Sequence, residues 1–188
     1  LHTAEQLFTE RGYTAVKLRD VAAALGMQQA SLYYHAPGGK EELFIAVTER
    51  ALQRHQQGLE QAICEAGDDA REQMQAAAGW LLSQPALNFG RMLRSDMPAI
   101  STEAAEKLRQ QALRALIVPL NAVFTRFVRG DDNAARTKIS SLSGGFLALM
   151  EGVHNLPAHF HTQSKQELAN YWIDVLLNGL VPRTTVGE

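Results

Sequence analysis

Residues 18–43 read LRDVAAALGMQQASLYYHAPGGKEEL, and this stretch constrains the fold more than any other. Val21, Ala22 and Leu25 recur at helical spacing and run into Gly26-Met27. A second short polar helix follows, carrying Gln29, Ser31, Tyr33, Tyr34 and His35, with Lys40 just beyond it. Two brief helices joined by a tight glycine turn form the helix-turn-helix pattern, whose second helix enters the DNA major groove. Ala22 is small where the helices must approach, and Gly26 sits where the chain turns sharply, in a left-handed conformation that glycine adopts most easily. Leu25, Met27 and Leu32 are expected to plug the underside. That leaves Gln28, Gln29, Ser31, Tyr34 and His35 facing outward, with Tyr33 at the rim. Gln can bond an adenine edge through two contacts, Ser and Tyr hydroxyls reach phosphates or base edges, and Lys40 is a point charge for the backbone. The bland alternative is an ordinary amphipathic pair, and Tyr-Tyr-His on an open face argues against it.

The flanks extend the pattern. Ala4, Leu7 and Phe8 recur at helical spacing before Gly12-Tyr13 breaks the helix, and Gly38-Gly39-Lys40 opens a new helix with Glu41 and Glu42 at its dipole-positive end. The segment AEQLFTERGYTAVKLRDVAAALGMQQASLYYHAPGGKEELF resembles the DNA-binding region of the tetracycline-repressor (TetR) family. The resemblance is close over roughly the first 45 residues, and it is specific because many spaced positions match together. It implies that Arg19, Gln29, Ala30 and Tyr33 face bases, and that Ser31, Tyr34, His35 and Lys40 hold phosphates. It assigns structural roles to Gly12, Val21, Ala22, Leu25, Gly26, Leu32 and Leu43. Three features depart from the family pattern. Lys17 stands where a Ser or Thr cap is usual, adding a cation near the DNA; Gln28 replaces a usual Ser cap; and Ala36 replaces a Phe, with the loop to Lys40 one residue longer than the common form.

Composition bounds the rest. At 188 residues the chain can bury a real core as one or two small domains. The lone Cys64 forms no intrachain disulfide, which fits a reducing cytoplasm, and its apolar-periodic surroundings (Leu59, Ile63) make it read as a small core residue. No apolar run of about 18 residues exists and no signal-peptide pattern opens the chain, so a soluble, cytoplasmic protein without a membrane partner is expected. The sequence starts abruptly inside a helix pattern, so a few preceding residues are expected. The formal net charge of −2 excludes a polycationic, non-specific nucleic-acid binder. Residues 1–50 carry five cations (Arg11, Lys17, Arg19, Lys40, Arg50) against six anions (Glu5, Glu10, Asp20, Glu41, Glu42, Glu49), so binding is expected to be specific with a modest salt slope.

Beyond Lys40 the sequence reads as all-α, with about nine helices in total and no competing strand pattern. One long helix spans Glu41 to Glu65, a second runs from Asp68 to Ser83 before Pro85, and residues 87–98 are less regular. Ser101-Thr102 is expected to cap the next helix and Pro119 to kink it. Asp131-Asp132 starts another helix, and a last one runs from about Ser164 to Leu180. The domain division expected is 1–46 for DNA binding and 47–188 for effector binding and dimerisation.

Two helices carry an interface pattern. Ser140, Ser141, Ser143, Gly144 and Gly145 are small enough to admit another helix, and Leu168, Tyr171, Trp172, Val175, Leu176 and Leu180 form a wide apolar face. The resemblance implies that these helices pair with their counterparts in a homodimer, placing two reading helices on a palindromic operator. Trp80, Phe89, Met92, Met97, Phe124, Phe127, Phe146 and Met150 read first as core. The resemblance instead makes them candidates for a pocket that takes a lipophilic or aromatic small-molecule effector, with Arg91, Arg94 or His154 orienting a polar group. His154, His159 and His161 lack the spacing of a preformed metal site, and no metal or other cofactor is expected. No phosphate loop, nucleophile elbow or zinc-hydrolase motif is present, so no enzyme is expected. The expected function is a sequence-specific transcriptional regulator, a repressor released by its effector. The alternatives are an activator or ligand-independent DNA binder, or a helical interaction module that no longer uses its motif.

Overall fold

Helix boundaries follow the capping and breaking residues of the sequence. The computed structural model describes residues 2–86, 88–157, 159 and 162–180, without the side chains of His35 and Leu180. In chain order the helices are α1 (His2–Arg11), α2 (Leu18–Ala24), α3 (Gln29–His35), α4 (Gly39–Glu65), α5 (Ala70–Ser83), α6 (Phe89–Arg91), α7 (Thr102–Ala112), α8 (Val118–Phe124), α9 (Asn133–Asn155) and α10 (Lys165–Leu180). The described residues contain helices and no strands, as the all-α expectation required. No helix among them is long and apolar enough to cross a membrane.

The caps have physical causes. The Asp69 side chain accepts the Glu72 N–H at 3.0 Å to start α5, and Asp132 accepts the Ala135 N–H at 2.8 Å to start α9. At α10, Ser164 Oγ accepts the Glu167 N–H while the Glu167 carboxylate accepts the Ser164 N–H, a reciprocal capping box. Ser101 occupies the cap position of α7 but caps differently from expectation. Its side chain makes no cap bond, and its N–H donates to Glu41 at 3.1 Å instead. Two widened, π-type turns interrupt the middle of the chain, at Met92–Asp96 and Leu113–Ile117. The second precedes Pro119, which stands in the first turn of α8 and has no N–H to contribute there.

The chain divides into two compact units. The first comprises residues 1–57 and 85–116, the second 58–84 and 117–188. In the first, the rings of Phe8, Tyr13 and Phe44 meet, with the Phe8 and Phe44 centroids 5.3 Å apart edge to face and those of Tyr13 and Phe44 5.0 Å apart. Ala4, Val16, Val21, Ala22, Leu32 and Val47 fill the space around them. In the second, α5 packs on α10 and α8 on α9, burying Leu59, Met74, Ala77, Leu120, Phe146, Met150 and Ile173. Cys64 is exposed rather than part of this core. The apolar stripe through Leu59 and Ile63 is buried, and Cys64 follows Ile63 one position off it.

Candidate nucleic-acid interface

The α2–α3 pair is assembled from backbone bonds and one side-chain cap. Lys17 lies in extended geometry before α2, and the Asp20 carboxylate accepts its N–H at 3.0 Å. This is the reverse half of a capping box, which serves without the usual hydroxyl. Gly26 turns with φ of +66°, and the Met27 N–H donates to Ala22 O at 3.0 Å, closing α2. Gln28 begins α3 in extended geometry without a side-chain cap.

Leu32 anchors α3 from beneath, and the other described side chains of the helix are open. Gln28, Gln29, Ala30 and Ser31 are exposed, Tyr33 is 48% exposed and Tyr34 84%. Two large aromatic rings on an open helical face cost solvation unless a partner covers them. Lys17 and Arg19 flank this face as exposed cations, with Arg19 Nε 3.7 Å from the Asp20 carboxylate. The side chain of His35 lies outside the described residues. Ala36, in place of a ring, is buried behind α3. Leu25 does not plug the underside: it is exposed and Met27 half-buried, so Leu32 alone of the three fills that role.

Lys40 stands apart from the other cations. Its ammonium donates to Tyr13 O at 3.0 Å and lies 4.0 Å from the Tyr13 ring centroid, a cation–π contact that half-buries it. The phenol of Tyr13 is pushed above its usual pKa by burial and then by the Glu41 charge. Glu41 itself is held below the usual carboxylate range by bonds from the Ser101 hydroxyl and N–H.

The residues expected to line an effector pocket fall in both units. Phe89, Met92 and Met97 belong to the first unit; Trp80, Phe124, Phe127, Phe146, Met150 and His154 to the second. In the second unit Phe124 sits 6.0 Å from Phe146 and 6.4 Å from Phe127, centroid to centroid. Trp80 packs so closely on Gly58 that a Cβ there would overlap the indole. Trp80 Nε1 and His154 Nδ1 are buried with no hydrogen-bond partner, and burial, then Lys165, lowers the His154 pKa. Clefts among the described residues also went unanticipated by the sequence pattern. One of about 340 Å³ in the first unit is lined by Glu49, Gln53, Gln56, Gln111 and Arg114, and one of about 330 Å³ in the second by Glu60, Cys64, Asp68 and Gln73. Polar residues at irregular spacing give no periodic signal for either. Of the polar candidates, Arg94 is exposed, while Arg91 is engaged with backbone carbonyls. Among the described residues no cluster of three His, Cys, Asp or Glu could hold a metal, and His161 lies outside them.

On α9 and α10 the expected interface residues divide by face. Tyr171 is 59% exposed, Trp172 41% and Val175 44%; Leu168 and Leu176 are half-buried, while Ala169, Ile173 and Leu177 point into the core. Ser141 and Gly145 are exposed, Gly144 is half-buried, and a Cβ on either glycine would meet nothing within 4 Å. Ser143 is not on that surface; it is buried and donates to Asn121 Oδ1 at 2.7 Å.

An all-helical chain headed by an α2–α3 pair with an open second helix has the architecture of TetR-type regulators. Residues 1–47 match the family model for bacterial regulatory proteins, tetR family, in the segment that carries the resemblance. It is 49% identical over 49 residues to an uncharacterized HTH-type transcriptional regulator, YxaF, from Bacillus subtilis (strain 168). That match spans 26% of either chain. Over nearly the whole length the fold resembles the TetR family regulator PfmR from Thermus thermophilus, at a TM-score of 0.61 and 23% identity, covering 95% of this chain and 98% of that one. It also resembles AibR in complex with isovaleryl coenzyme A and operator DNA, at a TM-score of 0.68 and 16% identity, covering 92% and 93%.

Proposed function

We propose that this protein is a sequence-specific DNA-binding transcriptional regulator that binds a palindromic operator as a homodimer. Residues 1–46 read the DNA, and residues 47–188 hold the effector and dimerise. The observation that carries the reading is the open face of α3. Gln29, Ala30, Ser31, Tyr33 and Tyr34 are presented together while Leu32 anchors the helix from below. Arg19, Gln29 and Tyr33 contact base edges, Ala30 admits close approach, and Ser31, Tyr34 and the flanking Lys17 hold the backbone. The open glycines of α9 and the apolar face of α10 support the dimer, whose two-fold axis matches a two-fold operator.

The mode of regulation in this reading is repression relieved by a lipophilic or aromatic effector. The rings of Phe124, Phe127 and Phe146 support it, as does the shared fold with AibR, whose structure holds both an acyl-coenzyme A and DNA. Release follows when the effector binds the DNA-incompetent state better, and a tenfold release needs about 1.4 kcal/mol of coupling. Selection from a randomised duplex library tests the reading. The wild-type chain should enrich a palindrome, and Tyr33→Ala should bind it about tenfold or more weakly with its helicity intact. Equal affinity of the variant would remove α3 from the recognition role.

A further inference from the structure

The end of α1 is held by a segment more than eighty residues away in sequence. Helix ends leave carbonyls without intrahelical donors, and here Arg91 supplies them. Its guanidinium donates to Phe8 O at 3.0 Å, to Thr9 O and to Glu10 O at 3.3 Å. Arg91 Nε lies 3.5 Å from Asp96 Oδ2, and the other Asp96 oxygen accepts the Tyr13 N–H at 2.8 Å. Asp96 is buried, and the widened turn Met92–Asp96 carries it. Widened turns of this kind concentrate at functional positions. Gly12, with φ of +80°, leaves no slack between the partners: a Cβ there would lie 3.1 Å from Asp96 Oδ1 and 3.3 Å from Arg91 Cδ.

Tyr13 is grasped from its other side as well. Its carbonyl accepts from Lys40, whose ammonium also covers its ring, and that ring packs on Phe44. Lys40 lies in the first turn of α4, four residues beyond Ala36, which follows α3. One residue, Tyr13, thus joins the segment around Asp96, through its N–H, to the start of α4 just beyond the recognition helix, through its carbonyl.

We infer that Arg91 and Asp96 are positioning residues for the DNA-reading helices, acting as a latch through Tyr13 and Lys40. The inference rests on the DNA-binding reading for its consequence but not for its mechanics. Such a latch has made and broken states, because a buried carboxylate deprived of its partners is strongly disfavoured. With the latch made, α1 and the α2–α3 pair hold one orientation. With it broken, α3 loses the fixed base against which Lys40 sets it.

The experiment compares wild type, Asp96→Ala, Asp96→Asn and Arg91→Lys by residue-resolved amide hydrogen exchange and by binding to the selected duplex at several salt concentrations. In Asp96→Ala the Tyr13 amide should exchange at least about tenfold faster, and the amides of α2 and α3 should lose protection with it. Duplex affinity should fall about tenfold with an unchanged salt slope, since no phosphate contact is removed. Asp96→Asn, which keeps an acceptor for the Tyr13 N–H, should recover part of both losses. If Asp96→Ala does not fold, Asp96→Asn and Arg91→Lys carry the same comparison. Faster exchange confined to Tyr13, with α2–α3 protection and duplex affinity at wild-type levels, would overturn the latch. Should the wild type select no duplex, the DNA reading falls, while the exchange of α2 and α3 still decides the latch.

Discussion

Gly58 lies inside a long helix, where replacing glycine by alanine ordinarily stabilises by up to about 1 kcal/mol. The Trp80 indole reverses that sign, because it occupies the space an added methyl would need. Gly58→Ala should therefore destabilise the protein by about 1–3 kcal/mol in urea unfolding. A stabilised variant would mean that the indole moves aside freely. Nothing in the sequence around Gly58 announces this contact, which depends on tertiary packing rather than on local pattern. The α3 face was legible in advance because its information is local: a polar, aromatic run surrounds one apolar anchor, Leu32. The resting contact of Lys40 was not, since it depends on Tyr13, twenty-seven residues earlier in the chain.

Among the helices, α10 offers the sharpest test. Tyr171, Trp172 and Val175 leave a continuous apolar surface that a second copy of the chain would cover. Val175→Glu should give monomers by light scattering while circular dichroism stays helical, because the opposite face through Ile173 and Leu177 is untouched. A persistent dimer would place the interface elsewhere. The ends of the helices were legible where a side chain caps its own helix, as Asp132 and Ser164 do. Ser101 was legible as a position but not as a bond, since its partner Glu41 comes from another helix. The two widened turns left no mark on the hydrophobic period, and Ser143 looked like its neighbours until Asn121 drew it inward.

For the molecule as a whole, pH probes one interior side chain. His55 is buried with both ring nitrogens unpartnered, and its pKa is pushed down to about 4 by burial, then by the Arg54 charge, against an opposing pull from Glu5. Between pH 6.5 and about 4 the unfolded chain binds a proton that the folded chain refuses, so stability falls as pH drops through that window. The loss attributable to this group is about 3 kcal/mol at most. His154, also lowered, adds in the same direction. Urea unfolding across the window should show the decline, and His55→Leu should remove most of it. An equally steep decline in the variant would move the effect to other groups.

Lys40 carries a consequence at the scale of a chromosome. A regulator in a cell meets vastly more wrong DNA than right, and its grip on wrong DNA comes almost entirely from cations on phosphates. In the DNA-binding reading, that lysine must leave Tyr13 before it reaches a phosphate, so the amino-terminal head has one fewer freely reaching cation with which to linger on decoys. In the DNA-binding reading, few copies then suffice to keep one site occupied, because discrimination rests on shape and base edges rather than on general adhesion.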